Sequence, residues 1–436
     1  MKDRKGYLLA LLTAIYAFNW IDRVALGIVQ QNIKVSLQLT DTELGLLTGI
    51  AFALFYALMG VPIARWSDKG DRVSIIGITT ALWSVLVALS GAAGNFLQLL
   101  LIRIGVGVGE AGCVPPAHSL IAEFFTRTQR PRAVSLYVQG PQIAMIIGYL
   151  AAGWLDELVG WRGTFVIIGL PGLVLAGLAA STLREPRRGH AREVRAAQLP
   201  HMGTRSVLKA LWASKAYRHL LICYSVWYFF GYGLLQWEPT FFIRSHGMSP
   251  GAVGTWFSLV YGVLGAAGVY IGGELAARYA EHNERRQLRG CGLALAVFAL
   301  LTAGCLLASN RYVALALLGL AALGGNVCQG PIVATIQTLV APRMRAMSIA
   351  LLLFFANLIG MGLGPLVGGA LSDALRPWLG IESLRYGLVI LCPGYFWAAW
   401  HAWRAGQTVE AEIEKVRTAE VTESSALDSQ VTALGI

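Results

Sequence analysis

Two pairs of opposite charges stand inside stretches that are otherwise apolar. Asp22 and Arg23 lie in the run from Tyr7 to Ile33, and Arg103 and Glu110 in the run from Leu97 to Phe124. A lone charge at the centre of a bilayer costs at least about 2.5–3.5 kcal/mol, so such residues face an interior cavity and mark an ion or substrate pathway. The four sum to zero, and ionised groups at membrane depth are tolerated when they neutralise one another. Their chemistry is proton exchange and anion capture. Burial and a neighbouring arginine push a carboxylate's proton affinity in opposite directions, so Asp22 and Glu110 are poised to bind or release a proton. An arginine whose counter-ion takes up a proton can accept an anionic group, such as a phosphate, through paired hydrogen bonds. If carboxylate and substrate instead compete for one arginine, the exchange is an antiport. The residues leave both routes open. Arg103 and Glu110, seven positions apart, fall on one helix face two turns from each other.

The surrounding chain must hold these groups at depth. It is 56% hydrophobic and 14% charged over 436 residues, where a soluble domain carries roughly 25% charged residues. A spanning helix needs about 20 mostly apolar residues, and twelve such helices are expected. In chain order they are Tyr7–Ile33, Glu43–Arg65, Val73–Gly94, Leu97–Phe124, Ala133–Leu155 and Thr164–Leu183, then His219–Ile243, Pro250–Tyr279, Gly290–Ala308, Tyr312–Val340, Met347–Leu371 and Leu384–Trp403. The chain thus reads as an all-α membrane protein. A first half covers residues 1–183, a basic linker 184–218, a second half 219–404 and a tail 405–436. The apolar run at the start carries Asp22 and Arg23 and lacks an A-x-A cleavage site, so it reads as an uncleaved first helix.

Most of the 35 Lys and Arg lie at the N-terminus, in the loops on its side of the bundle, or in the tail. The exceptions are Arg23 and Arg103, and six residues in loops on the other side: Lys34, Arg162, Arg244, Arg311, Arg376 and Arg385. Basic residues accumulate on the cytoplasmic side, so both termini are expected in the cytoplasm and the chain in a bacterial inner membrane. Topology and anionic membrane lipids account for the net charge of +11 without a nucleic-acid partner. The six cysteines show no C-x-x-C spacing, and no metal or cofactor is indicated. The acidic tail is expected to be a short helix that frays.

The sequence repeats itself. PPAHSLIAEFF…RAVS from Pro115 is matched by GPIVATIQTLV…RAMS from Gly330, and GYLAAGWLDE from Gly148 by GPLVGGALSD from Gly364. The offset is half the chain, so helices 4–5 correspond to helices 10–11. Two pseudo-symmetric six-helix halves resemble the plan of the major facilitator superfamily, with the substrate site between the halves near the midplane. Two further motifs resemble signatures of that superfamily: GVPIARWSDKGDR from Gly60 to Arg72, and RIGVGVGEAGCVPP from Arg103. The first implies a gating latch on the terminal side built on Asp68 and Arg72, although Ala64 and Asp71 replace the usual glycines. GMGLGPLVGG in helix 11 resembles a pattern associated with antiporters, and tight helix packing explains it equally.

Asn19-Trp20-Ile21-Asp22-Arg23, Trp83-Ser84, Arg103, Gly109-Glu110-Ala111 and Pro115-Pro116 together resemble bacterial members of the Spinster family of lipid transporters. The resemblance is dense over residues 15–165 and loose beyond. It implies proton-linked transport of an amphipathic anionic lipid, such as a lysophospholipid or a sphingosine-1-phosphate-like molecule, by alternating access. Asp22 and Glu110 would be the proton-coupling groups, and Arg23 and Arg103 the headgroup ligands. A monomer is expected. The alternative is a proton-coupled multidrug, organic-anion or sugar-phosphate carrier of the same fold.

Tyr16, Asn19, Tyr56, Tyr137, Gln139, Gln142, Asn326, Gln329 and Asn357 are further candidates for the cavity wall. The aromatic run Trp227 to Tyr232 of helix 7 could line an acyl chain. Glu238 is placed near the outer end, pairing with basic groups or gating that mouth. No G-x-S-x-G or H-E-x-x-H is present, so an intramembrane hydrolase is not indicated. On this reading the first half carries proton coupling and headgroup capture, and the second supplies polar and apolar walls.

Overall fold

The computed structural model describes residues 2–185, 204–279, 283–341 and 344–433. Among them the secondary structure is helical, with no strand. Helix 1 is Lys2–Leu37, helix 2 Asp41–Lys69 with an offset at Gly49, and helix 3 Arg72–Ser90. Helix 4, Phe96–Phe124, is interrupted after Glu110 where Pro115 and Pro116 restart it. Helices 5 and 6 run on from 130 to 182 and part at Gly160, whose φ of 70° favours glycine. Helix 7 is Lys215–His246, helix 8 Pro250–Arg278, helix 9 Glu284–Leu307 and helix 10 Arg311–Leu339. Helix 11 covers 345–379 with a π-turn at Ala356–Leu363, and helix 12 runs from Ser383 to Ala433. Nine stretches among the described residues are long and apolar enough to cross a membrane. Two of them, Arg130–Thr182 and Met347–Thr418, each hold two spans, and helix 7 supplies the remaining one, so the twelve-helix reading holds.

The starts are set by short polar caps, which accept from backbone donors that have no intrahelical partner. Thr40 and Glu43 form a reciprocal capping box at helix 2, and Asp71, Asn95, Ser214, Ser249 and Asn310 cap helices 3, 4, 7, 8 and 10. Within the first half helix 1 packs on helix 5 and helix 3 on helix 6; within the second, helices 7 and 9 pack on helix 12.

The halves meet along two glycine seams, helix 2 on helix 11 and helix 5 on helix 8. A Cβ on Gly45 would lie 2.8 Å from Cα of Leu366, and one on Gly153 would lie 3.0 Å from Cα of Gly254. Hydrogen bonds between the halves concentrate in the middle of the bundle and at the end remote from the termini. There Asp41 accepts from Arg244 Nη1 and Nη2 at 2.8 and 2.7 Å, from Lys34 at 2.5 Å and from Ser372 at 2.6 Å. Two carboxylates cap the opposite half's helices. Asp373 accepts from the Asp41 and Thr42 N–H groups at 3.1 and 2.7 Å, and Glu157 accepts from the Gly251 N–H at 2.7 Å.

The tail differs from expectation. Helix 12 continues as helix to Ala433 instead of fraying after a short stretch. Glu412 explains the docking: its carboxylate accepts from Ser214 Oγ at 2.5 Å and from the Lys215 and Ala216 N–H groups at 3.1 and 3.2 Å, at the positive end of helix 7. Linker positions 186–203 lie outside the described residues. The remainder forms a short helix, Thr204–Ala213, with Val207 and Leu211 buried and Leu208 and Trp212 exposed.

Candidate functional site

Helices 1 and 4 bring the four charges together as two crossed ion pairs. Arg103 Nη1 donates to Asp22 Oδ2 at 2.7 Å. Arg23 Nε donates to Glu110 Oε2 at 2.9 Å, and its Nη2 also bonds that oxygen. Asp22, Arg103 and Glu110 are buried and Arg23 nearly so. The neighbours Asp22 and Arg23 do not pair with each other. Adjacent residues on a helix point in different directions, so each reaches helix 4 separately.

The Arg23 guanidinium sits in an aromatic cage, its carbon 4.4 Å from the centre of the Phe52 ring, 4.8 Å from Trp20 and 5.1 Å from Tyr56. Arg103 reaches the Phe52 ring as well, at 5.3 Å. Phe52 comes this close because helix 4 has glycine where helix 2 crosses it: a Cβ on Gly107 would lie 2.8 Å from the Phe52 carbonyl oxygen. From the second half Met361 reaches the pair, accepting from Arg23 Nη1 at 3.8 Å through its sulfur. Each carboxylate spends one oxygen on its arginine. The other oxygens, Asp22 Oδ1 and Glu110 Oε1, accept from no donor among the described residues, the two carboxyl groups lie within reach of each other, and the amide nitrogen and oxygen of buried Asn19 have no partner among those residues.

Two adjoining cavities open beside these pairs. A small one of about 40 Å³ is lined by Trp20, Arg23, Phe52, Arg103 and Met361, among others. A larger one of about 260 Å³ lies against helices 1, 5, 7, 8, 9, 10 and 12 and includes Gln142, Tyr228, Glu238, Asn326 and Gln329. They share Trp20, Met145, Tyr232 and Leu235.

The site therefore gathers Asp22, Arg23, Tyr56, Arg103 and Glu110, with Asn326 in the second cavity, while Asn19 is buried one turn earlier on helix 1 and lines neither cavity. Tyr16 borders this group: it stacks on buried Tyr137 at 4.8 Å, with His118 edge-on to that ring at 5.3 Å, and lies close to Trp20, Arg23 and Tyr56. Other candidates fall elsewhere. Gln139 is exposed and Asn357 half-buried, and neither lines either cavity. Arg72 was expected in a latch between the halves. Its partners Glu123 and Ser119 belong to the first half and Glu185 to the start of the linker, and Asp68 is also engaged.

Sequence reasoning missed Phe52, Trp20 and Met361. Trp20 could have been found, since it lies three residues before Arg23 on the same helix face. Phe52 and Met361 reach the site only through packing of separate helices. Glu238 is misplaced by the linear reading. It lines the cavity wall, 3% exposed, and its partner is the Tyr261 hydroxyl rather than a basic group.

Comparisons with known proteins agree with this architecture. The family model of the Major Facilitator Superfamily matches residues 12–365. An MFS-type efflux pump of Mycolicibacterium smegmatis is 32% identical over 384 residues, 87% of either chain. A probable L-galactonate transporter of Escherichia coli is 26% identical over 405 residues, 87% of this chain and 85% of that protein. The crystal structure of a bacterial homologue of the human lysosomal transporter Spinster, inward-facing and unoccupied, superposes with a TM-score of 0.86 at 29% identity. That likeness covers 94% of this chain and 99% of the other.

Proposed function

Because the chain belongs to the major facilitator superfamily, a family of membrane transporters, we propose that it is a proton-coupled secondary transporter of the Spinster type. Its substrate is an amphipathic anionic lipid, such as a lysophospholipid, carried unaltered by alternating access. The observation that carries this reading is Arg23: an almost buried guanidinium, caged by three rings and tied to a carboxylate whose second oxygen has no donor among the described residues. A proton on Glu110 weakens its hold on Arg23, and the guanidinium then turns its donors to an anionic headgroup. Asp22 and Arg103 stand one step behind as the second exchangeable pair. Tyr56 and Asn326 contribute polar wall, and the aromatic run of helix 7 suits an acyl chain.

With the termini in the cytoplasm, the end sealed by Asp41, Asp373 and Glu157 is the outer one, and the cavity opens inward. The likeness to an inward-facing structure supports this orientation. Asp68 and Arg72 would then close the cytoplasmic end in the opposite state. A carrier of small organic anions is the second reading, favoured by the 40 Å³ size of the cavity beside Arg23 and by the relative described as a galactonate transporter.

Proteoliposomes with an imposed pH gradient separate the two. Lysophospholipid flux should follow the gradient, return intact lipid and disappear in Arg23→Ala. Galactonate flux with no lysophospholipid flux would establish the second reading. Lipid flux that ignores both the gradient and Arg23→Ala would overturn the first.

A further inference from the structure

Three interior carboxylates of the first half are paired with arginine or lysine, while buried Asp156 accepts from the Asn32 amide at 2.6 Å. Asp22 has Arg103, Glu110 has Arg23, and Asp41 has Arg244 and Lys34. Glu238 departs from those three. It is 3% exposed and held by the Tyr261 hydroxyl, and among the described residues no Lys, Arg or His forms an ion pair with it. A carboxylate out of water without a cation is an expensive arrangement. Glu238 also faces space, since it lines the 260 Å³ cavity. By the same measure one water needs about 10–15 Å³, so the cavity admits a sizeable organic group.

The rings around it repeat the asymmetry. Trp20, Phe52 and Tyr56 on the first half carry the Arg23 guanidinium over their faces. Trp20, which carries Arg23, also borders the cavity of Glu238; the rings of Trp227, Tyr228, Tyr261, Phe298 and Tyr395 there carry no arginine or lysine among the described residues. These rings are fixed by one another: Trp227 meets Tyr228 edge-on at 5.5 Å, and Phe298 meets Tyr395 edge-on at 4.4 Å. A buried carboxylate beside rigid aromatic faces, with no cation of the protein's own, is the chemistry that recognises an alkylammonium ion.

We infer that the cavity of the second half holds a binding site for an organic ammonium group, with Glu238 as its counter-charge and Tyr261, Phe298 and Tyr395 as its π surface. Primary amines and quaternary ammonium ions share the required charge. The quaternary form needs no hydrogen-bond acceptor and suits the rings best. The site does not depend on Arg23 or on proton coupling, so it stands or falls separately from the anionic-lipid reading.

The test uses the full chain in nanodiscs of zwitterionic lipid. Benzyltrimethylammonium is compared with neopentylbenzene, which has the same shape and no charge. Binding is read from quenching of tryptophan fluorescence, since Trp20 and Trp227 line the cavity, and from calorimetry. The wild type should bind the cation at least tenfold more tightly than the hydrocarbon. Glu238→Gln should erase that preference and leave hydrocarbon binding as it was. Tyr261→Phe, which keeps the carboxylate, should retain the preference, as should Arg23→Ala. Tyr395→Leu should weaken the cation more than the hydrocarbon, and this arm remains decisive if Glu238→Gln does not fold. Equal binding of the two probes by the wild type, or undiminished cation binding by folded Glu238→Gln, would overturn the inference and leave Glu238 a neutral acid hydrogen-bonded to a tyrosine.

Discussion

At the scale of single residues the crossed pairing sets unequal roles. Arg103 and Asp22 are both buried, whereas Arg23 keeps some exposure and touches Met361 of the other half. Breaking the inner pair should therefore damage the fold, and breaking the outer one should damage transport. Removing one partner of a buried ion pair costs about 3–5 kcal/mol because the other charge is stranded. Arg103→Ala is accordingly expected to lower the melting temperature in detergent by several degrees. Glu110→Gln keeps shape and hydrogen-bonding capacity and strands a partly exposed Arg23, so it should lower the melting temperature less than Arg103→Ala while losing the dependence of flux on the pH gradient. Arg23→Lys keeps the charge but not the planar fork. It should retain the pH response and lose at least about tenfold in substrate affinity, the equivalent of 1.4 kcal/mol. Differential scanning fluorimetry and proteoliposome flux on the three variants check this ordering, and an Arg23→Lys protein with wild-type affinity would refute the fork.

At the scale of helices, glycine decides how near the elements come. In helix 11 a Cβ on Gly364 would lie 2.8 Å from the backbone nitrogen of Gly233, and one on Gly360 would lie 2.6 Å from Cβ of Tyr228. The GMGLGPLVGG run thus serves as a packing surface against helix 7. Backbone cannot yield as a side chain can, and overpacking costs typically about 1–3 kcal/mol. Gly364→Val should lower the melting temperature, whereas Gly273→Ala, with nothing within 4 Å of the added carbon, should not. These helices were legible in the sequence because apolar length and caps are local properties. The four intramembrane charges were legible because their cost in lipid is independent of fold. The choice of partner was not: Arg23 finds Glu110, and Arg244 finds Asp41, only after distant helices pack. Glu238 was misread for the same reason, since position along helix 7 says nothing of which neighbour its face meets. The docked tail was missed because Glu412 acts on backbone donors near residue 215.

At the scale of the whole molecule the internal repeat becomes a device. GYLAAGWLDE ends in Glu157 and GPLVGGALSD ends in Asp373, and each carboxylate caps a helix of the opposite half, helix 8 and helix 2 respectively. The two caps are the same latch used twice about the pseudo-symmetry axis. Between them Asp41 is held by one cation of its own half, Lys34, and one of the other, Arg244. The state with this end closed is favoured by the sum of these contacts, and transport requires that they open. A cap of this kind contributes about 0.5–2 kcal/mol, so Glu157→Gln with Asp373→Asn, acting additively, should shift the equilibrium toward the opposite state by roughly five- to several-hundredfold. Asp41→Asn should act more strongly, because it leaves Lys34 and Arg244 facing each other without their anion. Spin labels at Gln38 and Ile381, exposed positions on the two halves at this end, report the separation directly. The wild type should give one short distance distribution. The double cap variant should add a longer one, and Asp41→Asn should make the longer one dominant. A single unchanged distribution in all three would mean that the glycine seams alone keep this end shut.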